Sequence, residues 1–176
     1  MAKKIIILSS SPRTISNTKT VVEWFVQGAQ QAGAEVEVVD VANLNYKANG
    51  CTVCNACQAS EKYQCVIADD AQAILDRIPE YDATVLASPI YFAGLNAQMK
   101  LILDRIRCLF KINPKTGEFK TCIGHQTMGL IATAGGGMDD SGLPLVDESC
   151  RLMAKFAGLK FKSLSVSYTH LRAHET

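Results

Sequence analysis

The chain has 176 residues, 48% of them hydrophobic, enough for one well-buried domain and short for two. A formal net charge of +1 gives no electrostatic reason to propose nucleic acid or an anionic membrane as a partner. No apolar run approaches a membrane span, and Met1-Ala2-Lys3-Lys4 leads into an apolar run too short for a secretory signal, so the seven cysteines are expected as reduced thiols or metal ligands in a cytoplasmic protein.

Lys4 to Ser9 is a short apolar run rich in β-branched residues, the pattern of a parallel strand covered on both faces. It gives way to Ser10-Ser11-Pro12-Arg13-Thr14-Ile15-Ser16-Asn17-Thr18, mostly hydroxyls and amides with one guanidinium, and then to the helical pattern Val21, Val22, Phe25, Val26, Ala29, closed by Gly33. A helix N-terminus exposes unpaired N–H groups and a partial positive charge, so it can hold an anion. Ser11, Ser16, Asn17 and Thr18 add neutral donors for phosphate oxygens, and Arg13 a compensating charge. Capping by Ser16 or Asn17 accounts for one such residue but not for the cluster. No Walker pattern ending in Gly-Lys-Ser/Thr and no GxGxxG is present, which argues against an NTPase and against a dinucleotide fingerprint at this site.

Glu35 to Val41 is a second strand, and Ala42 to Ile67 a long stretch without periodicity. It contains Cys51, Cys54, Cys57 and Cys65, spaced C-x2-C-x2-C-x7-C. Three thiolates this close together can bind three corners of one cluster, with the fourth arriving from further along. Zinc sites more often use two C-x2-C pairs set a dozen or more residues apart, whereas compact runs are typical of iron–sulfur ligation. The last gap is longer than in the bacterial ferredoxin run, and Val66 rather than proline follows Cys65, so a zinc-stabilised or metal-free loop stays open as an alternative.

Further along, Ile67 to Ile78 reads as a helix capped by Asp69 or Asp70, and Ala83 to Ala87 as a buried strand opening into Ser88-Pro89-Ile90-Tyr91-Phe92-Ala93-Gly94. Met99, Ile102, Leu103, Ile106 and Phe110 carry a long helical period, and Asn113 to Gly117 is a turn. Thr127 to Ala134 is a fourth strand running into Gly135-Gly136-Gly137; Leu145 to Ala157 is a helix; Leu159 to Val166 alternates as an edge strand does. Cys108, Cys122 and Cys150 fall in apolar segments and read as core, and His125 is isolated. The tail Val166 to Thr176, which holds two of the three histidines, reads as the in-frame translation of a sequencing-library transposase adapter. The chain is therefore expected as one domain over residues 1–165, with a non-native tail over 166–176 and its C-terminal helix missing.

Alternating strands and helices imply an α/β fold, a doubly wound five-stranded parallel sheet of flavodoxin-like order 2-1-3-4-5 with its ligand site at the carboxyl ends of the strands. A receiver domain shares this architecture, but Ser9 and Ser88 stand where it needs acidic residues.

Ser-Ser-Pro-Arg-x-x-Ser-Asn-Thr at 10 to 18, the cysteine run, Ser88-Pro89-Ile90-Tyr91-Phe92, Gln98-Met-Lys100 and Asp104-Arg105 occur in an order that closely resembles NADPH-dependent FMN reductase-like flavodoxin-fold proteins, the iron-sulfur flavoproteins most of all. The resemblance implies FMN, its phosphate in the loop bearing Ser9, Ser11, Arg13, Ser16, Asn17 and Thr18, and its ring against Ser88, Pro89, Ile90, Tyr91 and Phe92 and against Thr133, Ala134, Gly135, Gly136 and Gly137. It also implies NAD(P)H as an electron donor, a homo-oligomer, and a small-molecule or protein electron partner. The leading expectation is an oxidoreductase exchanging electrons between FMN and a [4Fe–4S] cluster held by Cys51, Cys54, Cys57 and Cys65. The cofactor performs the chemistry, so no general acid or base is nominated. The rivals are a cluster-free NAD(P)H-dependent FMN or quinone reductase, a flavodoxin-type electron carrier and a zinc-stabilised module.

Overall fold

The computed structural model describes residues 1–167. Of the expected non-native tail, residues 168–176 lie outside them.

Strand β1 (Lys4–Ser9) buries Ile6, Ile7 and Leu8 completely, as its unbroken apolar run requires. Helix α1 (Asn17–Gln31) returns the chain so that β2 (Glu35–Asp40) pairs parallel with β1, and Val41–Asn43 then forms a single 3-10 turn. The cysteine region contains a short helix, α2 (Ala56–Ala59), followed by α3 (Asp70–Leu75) and a 3-10 turn at Ile78–Glu80. Strand β3 (Ala83–Tyr91) is longer than its apolar stretch suggests and turns back into the two-residue β4 (Gly94–Leu95). Helix α4 (Ala97–Leu103) tightens into a 3-10 segment over Asp104–Leu109. A small antiparallel hairpin, β5 (Phe110–Ile112) and β6 (Phe119–Thr121), closes around Asn113, whose side chain accepts from Lys115 N and Thr116 N. The chain ends in β7 (Thr127–Ala134), α5 (Leu143–Ala157) and β8 (Lys160–Ser167).

The main sheet runs β2-β1-β3-β7-β8, all parallel, with β4 added antiparallel to β3. This is the flavodoxin-like order, in one domain. Alternating side chains sort to two layers. Ile6, Leu8, Leu86, Met128 and Leu130 face the layer formed by α3, α4 and α5, whereas Ile7, Val85, Ala87 and Ile131 face α1 through its Val21 and Val22. Burying each of those valines contributes about 1.5–3 kcal/mol. Gly129 lets β7 lie close to β3, because a Cβ there would sit 2.9 Å from Val85 Cγ2. On the α1 face an open groove of about 330 Å³ lies between Phe25, Gly129, Ile131 and Leu164.

Two differences from the sequence reading bear on the site. The expected single helix from Met99 to Phe110 breaks at Leu103, and the expected helix from Ile67 to Ile78 shortens to α3. In the first case a 3-10 segment replaces the last turns, and in that geometry residues three apart eclipse. Arg105 and Cys108 therefore turn inward together, both essentially buried.

Candidate functional site

The carboxyl ends of β1, β3 and β7 lie side by side, and three loops leave from them. The first is the loop after β1. Ser9, Ser10 and Ser11 are buried, Arg13 is exposed, and Ser16 caps α1 by accepting from Lys19 N at 3.2 Å. Among the described residues none of the backbone N–H groups from Arg13 to Thr18 finds an acceptor, no acidic residue sits in the first turn of α1, and the buried Ser9 Oγ has no partner. This is a fan of free donors at the positive end of a helix, the arrangement that holds a phosphate. Thr18 Oγ1 lies 2.7 Å from Thr133 Oγ1, tying this loop to the end of β7.

Ser10, at the head of this loop, turns its side chain into the interior. The hydroxyl is 2.7 Å from Asn96 Oδ1 and 3.1 Å from Ala87 O, while Asn96 Nδ2 donates to Ser10 O at 2.6 Å. Asn96 also accepts from Met99 N as the cap of α4, and its backbone N–H donates to Ser88 Oγ. This 1% exposed amide thus fixes the first loop against the second. Sequence reasoning missed it. An asparagine immediately before a periodic apolar helix was the available signal, and it reads only as a cap.

The second loop is the β3–β4 hairpin. Its two central residues, Phe92 and Ala93, have φ of +47° and +61°, a conformation that favours glycine or asparagine. Phe92 stands fully in solvent, with Tyr91 about half exposed beside it. Ser88 is buried, and Pro89 and Ile90 are partly so. The hairpin tip rests on the start of α5, where a Cβ on Gly142 would come within 2.4 Å of Ala93 Cα. The third loop follows β7. Thr133 and Ala134 are buried, and Gly135 is exposed with open space where a Cβ would be. None of Gly135, Gly136 and Gly137 has a positive φ; at Gly136 the need is for room, since a Cβ would meet Asp140 Oδ1 at 2.6 Å. Exposed aromatic faces beside an open glycine backbone fit a flat, partly apolar ring, as the free donors fit its phosphate.

The four cysteines lie elsewhere in the same domain, on the face carrying α3 to α5. Cys51, Cys54, Cys57 and Cys65 line one small pocket with Arg105, Arg107 and Cys108. Cys108, read from sequence as plain core, thus belongs to the cysteine group; burial first, then the neighbouring Cys65 and Cys57, push its thiol up to about 12. The loop is anchored on the 3-10 segment and β5. Gln58 Nε2 donates to Arg107 O at 3.3 Å and Phe110 O at 2.9 Å, and Lys111 Nζ donates to the carbonyls of Cys57, Ser60 and Lys62. Behind it, Asp69 caps α3 and pairs with Arg105 at 2.7 Å, both side chains fully buried. Burial alone would raise the Asp69 pKa, but Arg105 and the N–H groups of Lys47 and Gln72 prevail and hold it at about 2.

All seven cysteines are free thiols. Among the described residues no three His, Cys, Asp or Glu side chains are gathered tightly enough for a single metal ion, and the pocket encloses about 20 Å³. That is room for one water, so a cluster would require the loop to open around Cys54, which is exposed between Val53 and Asn55, both at positive φ. In donor chemistry the residues suit one: four thiols line one pocket together with guanidinium N–H groups that are buried without acceptors among the described residues.

A family model described as NADPH-dependent FMN reductase matches residues 3–146. The chain is 37% identical over 117 residues to iron-sulfur flavoprotein MJ1083 of Methanocaldococcus jannaschii, covering 65% of this chain and 58% of that protein. It is 30% identical over 134 residues to an iron-sulfur flavoprotein of Methanosarcina thermophila, covering 74% and 68% respectively. The chain spans only about half the length of the first curated relatives it matches. In three dimensions it superposes on an NAD(P)H:quinone oxidoreductase from Methanothermobacter marburgensis with a TM-score of 0.72 at 18% identity, over 95% of this chain and 87% of that one. No helix among the described residues is long and apolar enough to cross a membrane.

Proposed function

The chain belongs to the NADPH-dependent FMN reductase family, and from this premise we propose that it is a flavin-dependent oxidoreductase that binds FMN at the carboxyl edge of its sheet and a [4Fe–4S] cluster in its cysteine pocket. The observation that carries the flavin half is the run of backbone N–H groups from Arg13 to Thr18 without an acceptor among the described residues. Ser11, Ser16, Asn17 and Thr18 surround the phosphate, with Arg13 balancing its charge. Tyr91 and Phe92 bear on the ring from the hairpin, and Thr133 to Gly137 from the third loop. FMN supplies the hydride and single-electron chemistry when bound. The protein's share is to hold the ring, shield one face of it from water and keep the phosphate neutralised.

The cysteine half rests on four thiols sharing one pocket with two arginines, and on relatives that are iron-sulfur flavoproteins. Cys51, Cys54, Cys57 and Cys65 are its ligands. The cluster would exchange single electrons with the flavin, and NAD(P)H or a protein carrier would be the donor. The small enclosed volume favours a second reading, a cluster-free NAD(P)H-dependent FMN or quinone reductase. Free thiols and near-neutral charge agree with a cytoplasmic protein, and exposed Leu145, Leu152 and Phe156 on α5 agree with a homo-oligomer.

Anaerobic purification followed by a visible spectrum, metal analysis and NAD(P)H oxidation separates these readings. Flavin bands with a broad iron–sulfur shoulder support the first. Flavin and NAD(P)H turnover without iron support the second, and zinc without flavin overturns both. Cys54→Ser is expected to remove bound iron while leaving FMN in place; unchanged iron content would show that the ligand assignment is wrong.

A further inference from the structure

The cysteine pocket has a cationic wall that four thiolate ligands do not by themselves require. Arg105 is buried to the last atom of its side chain. Its Nη1 is paired with Asp69 at 2.7 Å, and its Nη2 donates to Ile67 O at 3.0 Å and reaches Cys65 Sγ at 3.5 Å. Its Nε is buried without an acceptor among the described residues, and so is Nη1 of Arg107, which lines the same pocket. Unsatisfied guanidinium N–H groups are costly to bury. Asp69 neutralises Arg105 and Asp76 acts on Cys108, but no carboxylate lines the pocket itself, where two guanidinium groups stand among the thiols.

A wall of this kind suits an anionic sulfur assembly, and most of all its more reduced form. One-electron reduction of a [4Fe–4S] centre adds a negative charge without forming or breaking a bond, and nearby positive charge and N–H···S hydrogen bonds favour that state. Resting on the cluster reading above, we infer that Arg105 and Arg107 are positioning residues for the cluster: they orient Cys65 and raise the cluster's reduction potential. Both arginines stand on the 3-10 segment Asp104–Leu109 and line this one pocket.

The test uses the full chain, reconstituted anaerobically with iron and sulfide, as wild type, Arg107→Gln and Arg105→Lys. Iron per chain, circular dichroism and an EPR-monitored titration with dithionite are measured on each. Arg107→Gln, which disturbs only a partly exposed side chain, is expected to keep the wild-type circular dichroism and iron content. At the wild type's midpoint poise its reduced-to-oxidised ratio should fall about tenfold, equivalent to about 59 mV for one electron. Arg105→Lys keeps a charge but loses the N–H that reaches Cys65, and should shift the ratio in the same direction by a smaller factor. If Arg105→Lys does not fold, Arg107→Gln alone decides. Folded, iron-replete variants titrating at the wild-type poise would overturn the role of the arginines and leave the cluster standing; wild-type protein that takes up no iron would overturn the cluster reading itself.

Discussion

Asp69 illustrates how much one side chain settles here. It caps α3, receives Lys47 N from the start of the cysteine region and neutralises Arg105, all with no solvent exposure. A buried ion pair of this sort adds little over a packed apolar pair, but removing one partner strands the other, typically at 3–5 kcal/mol. Its pKa is depressed from 3.8 to about 2, so its contribution is complete above the unfolded value and is lost as pH falls through the folded one. Urea unfolding of wild type and Asp69→Asn should therefore show a gap that is constant at neutral pH and narrows by about 2 kcal/mol between pH about 4 and about 2. A gap independent of pH across that window would mean that Asp69 is not held as the buried carboxylate described.

At the scale of elements, the β3–β4 hairpin stands out. Two-residue hairpin loops want positive φ at both central positions, which asparagine and glycine supply. Phe92 and Ala93 take that conformation at about 1–2 kcal/mol each, and the sheet and Gly142 hold them there. Strain kept at the mouth of a candidate site points to a use for the exposed ring. The double variant Phe92→Asn, Ala93→Gly should raise the stability of the flavin-free protein by about 1–2 kcal/mol in thermal melts. The same variant should weaken FMN binding about tenfold by fluorescence quenching, in line with the loss of one aromatic contact. Improved stability with unchanged flavin affinity would show that Phe92 does not touch the ring.

For the whole molecule, the loops after β1, β3 and β7 are held together by Asn96, by the Thr18–Thr133 contact and by the seat of Ala93 on Gly142, so ligand binding should act on global stability. FMN at a hundred times its Kd should add about 2.7 kcal/mol, a rise in Tm of about 5–10 °C for a domain of this size. Riboflavin, which lacks the phosphate, should give less than half that rise at the same concentration. Equal shifts would mean that the donors from Arg13 to Thr18 do not hold the phosphate.

The alternation of strands and helices, the hydroxyl-rich run after β1 and the cysteine spacing were legible in the linear chain because each is local. A short β-branched apolar run favours a covered strand, hydroxyls ahead of an apolar helix favour a cap or an anion site, and C-x2-C-x2-C keeps its thiols close in the chain. The rest depended on which distant segments meet. Nothing local says that Asn96 spans two loops, that Ser10 turns inward, or that Arg105 and Cys108 leave the exposed flank and core of an apparent helix to line the cysteine pocket. Those outcomes arise when helical periodicity tightens from 3.6 to 3.0 residues per turn under the demands of packing, and when buried polar groups must find partners wherever the fold brings them.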